Sequence, residues 1–273
     1  MLLKKHFWFI GIAFFFVNST LFVSCGSPMS TSSESSVSSV VFQNGPQLVV
    51  GGRFTSYNGV AERFVARLNN DGSLDASFNS TGAGNNWVYA LAVDSAGRTV
   101  VAGEIRVGSS VTGYVARFNP DGSLDASFKL NSAMLSGVSS VFGVYALAID
   151  SSDRILIGGS FNSYNGVSEP SVARFNSDGS LDTSFHPTGT GLNNTVMALA
   201  IDPSGKILVA GGFTSYNGIP RARIARLNSD GSLDTNFNNT GTGLNSGVYS
   251  LAIDPFGKIL VGGSFTSYDG ISR

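Results

Sequence analysis

The sequence predicts an all-β chain folded as a β-propeller of tandem antiparallel blades of about 50 residues each, and three recurrences predict it. Asp71-Gly72-Ser73-Leu74-Asp75 returns at Asp121, Asp178 and Asp230, at spacings of 50, 57 and 52 residues. The apolar run VYALAVD (residues 88–94) returns as VYALAID (144–150), VMALAID (196–202) and VYSLAID (248–254). A Gly-x-Phe step recurs at Gly52, Gly159, Gly211 and Gly263, with Gly103 and Ile105 in the second copy. A period near fifty holding three or four strands suits a propeller blade. A β-solenoid, whose coils repeat at a shorter interval, is the alternative.

The chain opens on a leader. Lys4, Lys5 and His6 precede an apolar run over residues 7–17, too short for a membrane span, which needs about 20 residues. It fits the core of a secretory signal covering residues 1–24. The only cysteine, Cys25, follows Ser24 and precedes Gly26. The arrangement resembles a bacterial lipobox, although Phe22 stands where leucine is preferred. The resemblance implies cleavage before Cys25, lipidation of that residue, and a membrane anchor in the bacterial envelope, at the outer membrane or surface rather than the inner membrane. Residues 25–36 then form a Ser-rich tether with too little apolar surface to fold. With a single cysteine no intramolecular disulfide forms.

The propeller units run over residues 37–87, 88–143, 144–195, 196–247 and, in part, 248–273. Each starts with a run such as VYALAID, apolar on both faces and so read as a strand buried on both sides. A turn such as Pro203-Ser204-Gly205 leads to a second strand, KILVAGGF (206–213). Asn217-Gly218, repeated as Asn58-Gly59, Asn165-Gly166 and Asp269-Gly270, supplies the positive-φ chemistry of a two-residue hairpin. A third strand, RIARLN (223–228), enters the Asp-Gly turn, and Leu-Asp-x-x-Phe (233–237) offers a fourth strand or an edge cover. Nothing in the unit has helical periodicity.

The composite pattern ALAID…GKILVGG-F…IARLN-DGSLD-SF is similar to the Delta-60 propeller repeat of bacterial proteins, over residues 37–273. That family is named for its repeat, so the resemblance implies a fold and no catalytic residue. Residues 268–273 align with 216–221, after which the fourth copy continues into its third strand. The expected architecture is therefore an open or incomplete arc of about 4.5 units, with a poorly protected edge at strand 258–265 through which copies could self-associate.

Composition narrows function. The net charge of −1, with 13% charged residues, leaves no basic patch for nucleic acid. Beyond the leader the one histidine, His186, has neither nucleophile nor orienting acid in a recognisable pattern beside it, so no catalytic set is read. Asn69, Asp71, Ser73 and Asp75 place oxygens at alternate positions and could serve calcium. The preferred reading is an Asx-stabilised turn, because every blade needs one, and no cofactor is called for. Arg67, Arg117, Arg174 and Arg226 recur with Asp94, Asp150, Asp202 and Asp254, a repetition that suits scaffold pairs. A site normally uses residues that occur once. Trp87, Glu104 and Arg106, and the insertion at 130–143, are thus the candidate binding features. The function expected is a membrane-anchored envelope scaffold binding a protein or glycan through its loops. The alternatives are a hydrolase or lyase of envelope polymers, using Glu62, Glu104 or Glu169, and a truncated fragment without activity.

Overall fold

The computed structural model describes residues 23–24, 36–43, 45, 47–62, 64–80, 87–107, 110–130, 135–136, 143–185, 189–237 and 241–272. Cys25, most of the leader and tether, and His186 lie outside them, as do the side chains of Glu104 and Arg106. The described chain is all β, in small antiparallel sheets of which none closes on itself. In the fourth unit Val196–Ile201 pairs with Ile207–Gly211, which pairs with Ile224–Leu227. The same order builds the third unit from Val144–Ile149, Ile155–Gly159 and Val172–Phe175. Leu-Asp-x-x-Phe is an edge cover: Leu74, Leu124, Leu181 and Leu233 each make a single bridge to the end of the third strand. In the second unit the second and third strands lengthen to Thr99–Val107 and Ser110–Phe118 and form one continuous hairpin.

The apolar runs are continuous because each inner sheet is covered on both faces by its neighbours. Ala146, Ala148 and Leu156 of the third unit meet Val196, Leu199, Ile207, Val209 and Leu227 of the fourth. Ala198, Leu208 and Ala210 of the fourth meet Val248 and Leu251 of the fifth. Small residues on one face thus receive large ones from the next unit. Each fully buried Leu or Ile contributes about 1.5–3 kcal/mol. The first strands of successive units lie beside one another, which puts them nearest the axis. Leucines preceding the units clamp the outer hairpins: Leu135 opposes Tyr164, Leu192 opposes Tyr216 and Leu244 opposes Tyr268.

The two ends of the arc differ. In the first unit Val23–Ser24 pairs with the free edge of Ser36–Gln43 (Val23↔Val40, Ser24↔Ser39) and lies beside Val248–Ile253 of the fifth. Cleavage before Cys25 would remove that pair. In the fifth unit Val248–Ile253 and Ile259–Gly263 form a two-stranded sheet. Ile259–Gly263 therefore pairs on one side only among the described residues, and Leu260 is 36% exposed. Placing a further copy of residues 222–237 directly after Arg273 would supply the third strand and the Asp-Gly turn. It is expected to raise the stability from urea titration by about 2 kcal/mol or more, from the apolar area buried, and to suppress self-association seen by gel filtration. A monomeric parent that gains nothing from the extension would show that this edge is already satisfied.

Candidate functional site

The repeat's polar residues are largely consumed in holding units together. Arg67, Arg117, Arg174 and Arg226 do not pair with the Asp94 series; each pairs with the aspartate eight residues on, Asp75, Asp125, Asp182 and Asp234, at 2.7–2.9 Å. Asp94 and Asp150 instead pair with Arg98 and Arg154 in their own turns. The third-strand geometry decides this, because the Leu-Asp-x-x-Phe segment folds back over the arginine. Each guanidinium also lies 4.4–4.9 Å from the ring centroid of Phe78, Phe128, Phe185 or Phe237. Arg67, Arg117 and Arg174 then donate to the carbonyls of Pro120, Ser177 and Ser229 in the following unit.

The oxygens considered for calcium serve the turn. Ser73 N–H and Oγ–H donate to Asp71 Oδ1 at 2.9 and 2.6 Å, and Asn69 Nδ2 donates to Ser73 Oγ at 3.0 Å. These bonds from Ser73 hold the Asp71 carboxyl below its usual range. Asp75 accepts from Ser77, Arg67 and Gln47, and the Ser77 hydroxyl is the main cause of its lowered pKa. Among the described residues no three His, Cys, Asp or Glu side chains are grouped to hold a metal.

At the other end of the strands a second repeated device appears. Pairing runs Val144↔Gly159 and then Ala146↔Gly158, so Tyr145 is left out of register as a bulge. The same slip displaces Ser38, Tyr89, Met197 and Tyr249 in the other units. The second glycine permits it: a Cβ on Gly159 would lie 1.9 Å from Gly143 O. Bulges re-aim a side chain. Here the flanking Val144 and Ala146 are buried between units while Tyr145 stays partly exposed.

The bulged residues mark one end of the first strands, the mouth, and the aromatic ones among them are partly exposed. Tyr89 and Tyr145, from neighbouring first strands, have ring centroids 5.9 Å apart at 49°. Burial pushes the Tyr145 phenol upward. Tyr249 Oη lies 3.1 Å from Ser264 Oγ, itself 2.9 Å from Ser246 Oγ. Trp87, half-buried, carries the Arg53 guanidinium 4.3 Å from its ring centroid. Glu104 follows Gly103, the partner of Val88, so its backbone sits beside Trp87, and Arg106 lies further along the same strand opposite Val111. The structure thus brings Trp87 and the Glu104 backbone together at the mouth, whereas the Asn69–Asp75 turn is at the opposite end of the sheet.

Glu169 is set apart from both ends. It is fully buried in the third unit's hairpin, and desolvation, then the charge of Asp182, raises its pKa to about 7. A carboxyl raised on folding adds stability that is complete below about pH 4.5 and fades as pH rises through about 7. Glu169→Gln is therefore expected to leave stability unchanged near pH 4.5 and to raise it by about 3 kcal/mol at pH 8. Urea midpoints at both pH values check this.

These features define a class, a propeller-repeat protein whose units are locked by arginine latches and carry a bulge at one end of each first strand. The chain belongs to the family described as a domain of unknown function (DUF5122) beta-propeller, whose model matches residues 47–78, 97–128, 151–185, 203–237 and 257–273. No curated protein sequence matches it significantly. Among solved structures it is similar to PorZ, a surface component of the type-IX secretion system of Porphyromonas gingivalis, at 15% identity over 89% of this chain and 36% of that one, with a TM-score of 0.53. It is also similar to the extracellular domain of BT4673 from B. thetaiotaomicron, at 16% identity over 90% of this chain and 29% of that one, TM-score 0.50. The chain thus spans about a third of the length of these two structures. A gluconolactonase from Xanthomonas campestris, at 16% identity over 83% of this chain and 69% of that one, has a TM-score of 0.48, too low to carry an argument. These likenesses show the fold alone.

Proposed function

We propose that the protein is a binding scaffold of the bacterial cell envelope, held on the membrane through lipidated Cys25, with the mouth as its recognition surface for a protein or glycan. The observation that carries this reading is the mouth itself. The repeated arginines and aspartates lock the units, whereas Arg53 and Trp87, which occur once in the repeat, and the bulged Tyr89, Tyr145 and Tyr249 lie at the other end of the strands on a rigid frame. Partly exposed aromatics on a rigid scaffold can anchor a partner, and these four are half-buried, Trp87 against the core of the first two units. The surface and extracellular settings of PorZ and BT4673 agree with the placement. The short apolar run ending at Ser24-Cys25 supports the anchor. The hydrolase or lyase reading draws on Glu169, whose pKa suits general acid–base work. Its complete burial denies a polymer access.

Two measurements test the proposal. Cys25→Ser should shift the protein from membrane to soluble fractions, or leave an uncleaved precursor, and abolish fatty-acid labelling. Equal labelling of variant and wild type would sink the anchor. Panels of envelope glycans and envelope proteins should retain the wild type and lose Trp87→Ala. Retention indifferent to every mouth substitution would sink the recognition surface, and release of soluble products from a polymer would favour the enzyme.

A further inference from the structure

Resting on that binding reading, we propose that the mouth is a saccharide site, in which Tyr89 and Tyr145 form the stacking platform and the Tyr249–Ser264–Ser246 hydroxyl group the polar rim, for a neutral, hydroxyl-rich sugar chain. Three observations select this chemistry. First, the bulge positions are Ser38, Tyr89, Tyr145, Met197 and Tyr249, none of which is charged at neutral pH. Two cations at this end are already engaged by the protein: the Arg53 guanidinium lies 4.3 Å from the Trp87 ring centroid, and Arg223 donates to Gly212 O. A phosphorylated or carboxylated ligand would find no dedicated counter-charge among these groups.

Second, the two tyrosine rings meet at 49° with 5.9 Å between centroids, inclined rather than stacked flat on each other. Pyranose rings present polarised C–H groups on one face and hydroxyls around the edge. Aromatic faces attract the first, and hydroxyls that both donate and accept match the second. Ser246, Ser264 and Tyr249 supply such hydroxyls, linked at 2.9 and 3.1 Å, with Ser264 exposed.

Third, the platform is fixed before any ligand arrives. Each bulge is held by ladder pairs on both sides and by a glycine whose close backbone approach admits no side chain. Little side-chain or backbone freedom then remains to be lost on binding, which favours recognition of a weakly interacting ligand.

The test titrates the full chain with neutral hexasaccharides (cello-, chito-, xylo- and malto-series), following tyrosine and tryptophan emission and calorimetric heat. At least one series should bind the wild type. Tyr145→Ala should weaken it by about tenfold or more, the loss of one stacking contact of about 1.4 kcal/mol. Tyr145→Phe, which keeps the ring, should bind within about threefold of wild type, and equal urea midpoints would show both variants folded. The saccharide inference is overturned if no series binds, or if binding is the same in all three proteins. If sugars fail while mouth substitutions abolish capture of an envelope protein, the scaffold reading stands and its ligand is a peptide surface. If mouth substitutions change neither, both readings fall.

Discussion

Arg174→Ala is expected to lose roughly 3–5 kcal/mol of folding stability, the range for a buried charge stripped of its partner. The Arg174 side chain is only 3% exposed and joins three groups at once. Its Nε donates to Asp182 Oδ2 at 2.7 Å, its guanidinium lies 4.7 Å from the Phe185 ring centroid, and Nη1 donates to Ser229 O in the next unit. Removing it leaves the Asp182 carboxylate buried and held only by Ser184, with Arg154 Nη1 at 3.8 Å. It also frees a carbonyl at the boundary between units. The natural control is Arg226, which pairs with Asp234 at 2.8 Å but is 27% exposed and reaches no acceptor in a following unit among the described residues. Lys206 also holds the buried Asp234, at 2.6 Å, so Asp234 stays paired in Arg226→Ala, which should lose only about 1 kcal/mol, the scale of one net hydrogen bond. Urea titrations of the two variants decide between a local pair and a latch across units: similar losses would mean that the cross-unit bond to Ser229 contributes nothing.

The latch shows what the residues disclosed and what they withheld. The recurrence of arginine and aspartate at fixed places was plain, and so was its scaffold role. The partners were not legible, because Leu181-Asp182 turns back over Arg174 through a single bridge, Phe175↔Leu181, which recurrence alone does not show. The hairpin tips were legible: Asn58, Asn165, Asn217 and Asp269 have φ of 47–50°, each followed by a glycine near 80°, as their sequence demands. The mouth was not. VYALAID is apolar throughout, so a one-residue slip of register leaves its pattern unchanged, and periodicity cannot reveal it. The available signal was chemical, a tyrosine recurring inside an otherwise aliphatic strand opposite a glycine pair. Trp87 and Glu104 stand out by another route, as departures from the repeat, and Val88↔Gly103 pairing sets their backbones side by side.

Gly159→Ala is expected to destabilise by about 3 kcal/mol or more, an unusually large effect for one methyl group, because overpacking here meets backbone rather than a movable side chain. The added Cβ would stand 1.9 Å from Gly143 O, 2.9 Å from Gly143 C and 3.0 Å from Val144 Cα. Relief requires the first strand to withdraw, which strains the bond from Ser160 N–H to Gly143 O and the bond from Gly159 N–H to Ser171 O, both 3.0 Å. Each net hydrogen bond is worth about 1 kcal/mol, and the bulge that aims Tyr145 goes with them. Gly166→Ala isolates the other way a glycine can matter. Its φ is +79° with open space around the new Cβ, so only the left-handed backbone opposes it, at about 1–2 kcal/mol. The pair therefore separates close approach from conformational freedom within one unit. Near-UV circular dichroism of the Tyr89–Tyr145 contact should change in Gly159→Ala and stay native in Gly166→Ala. If Gly159→Ala proved as mild as its partner and kept that signal, the first strand would have to be mobile enough to move aside, and the mouth could not be the preformed platform that saccharide binding requires.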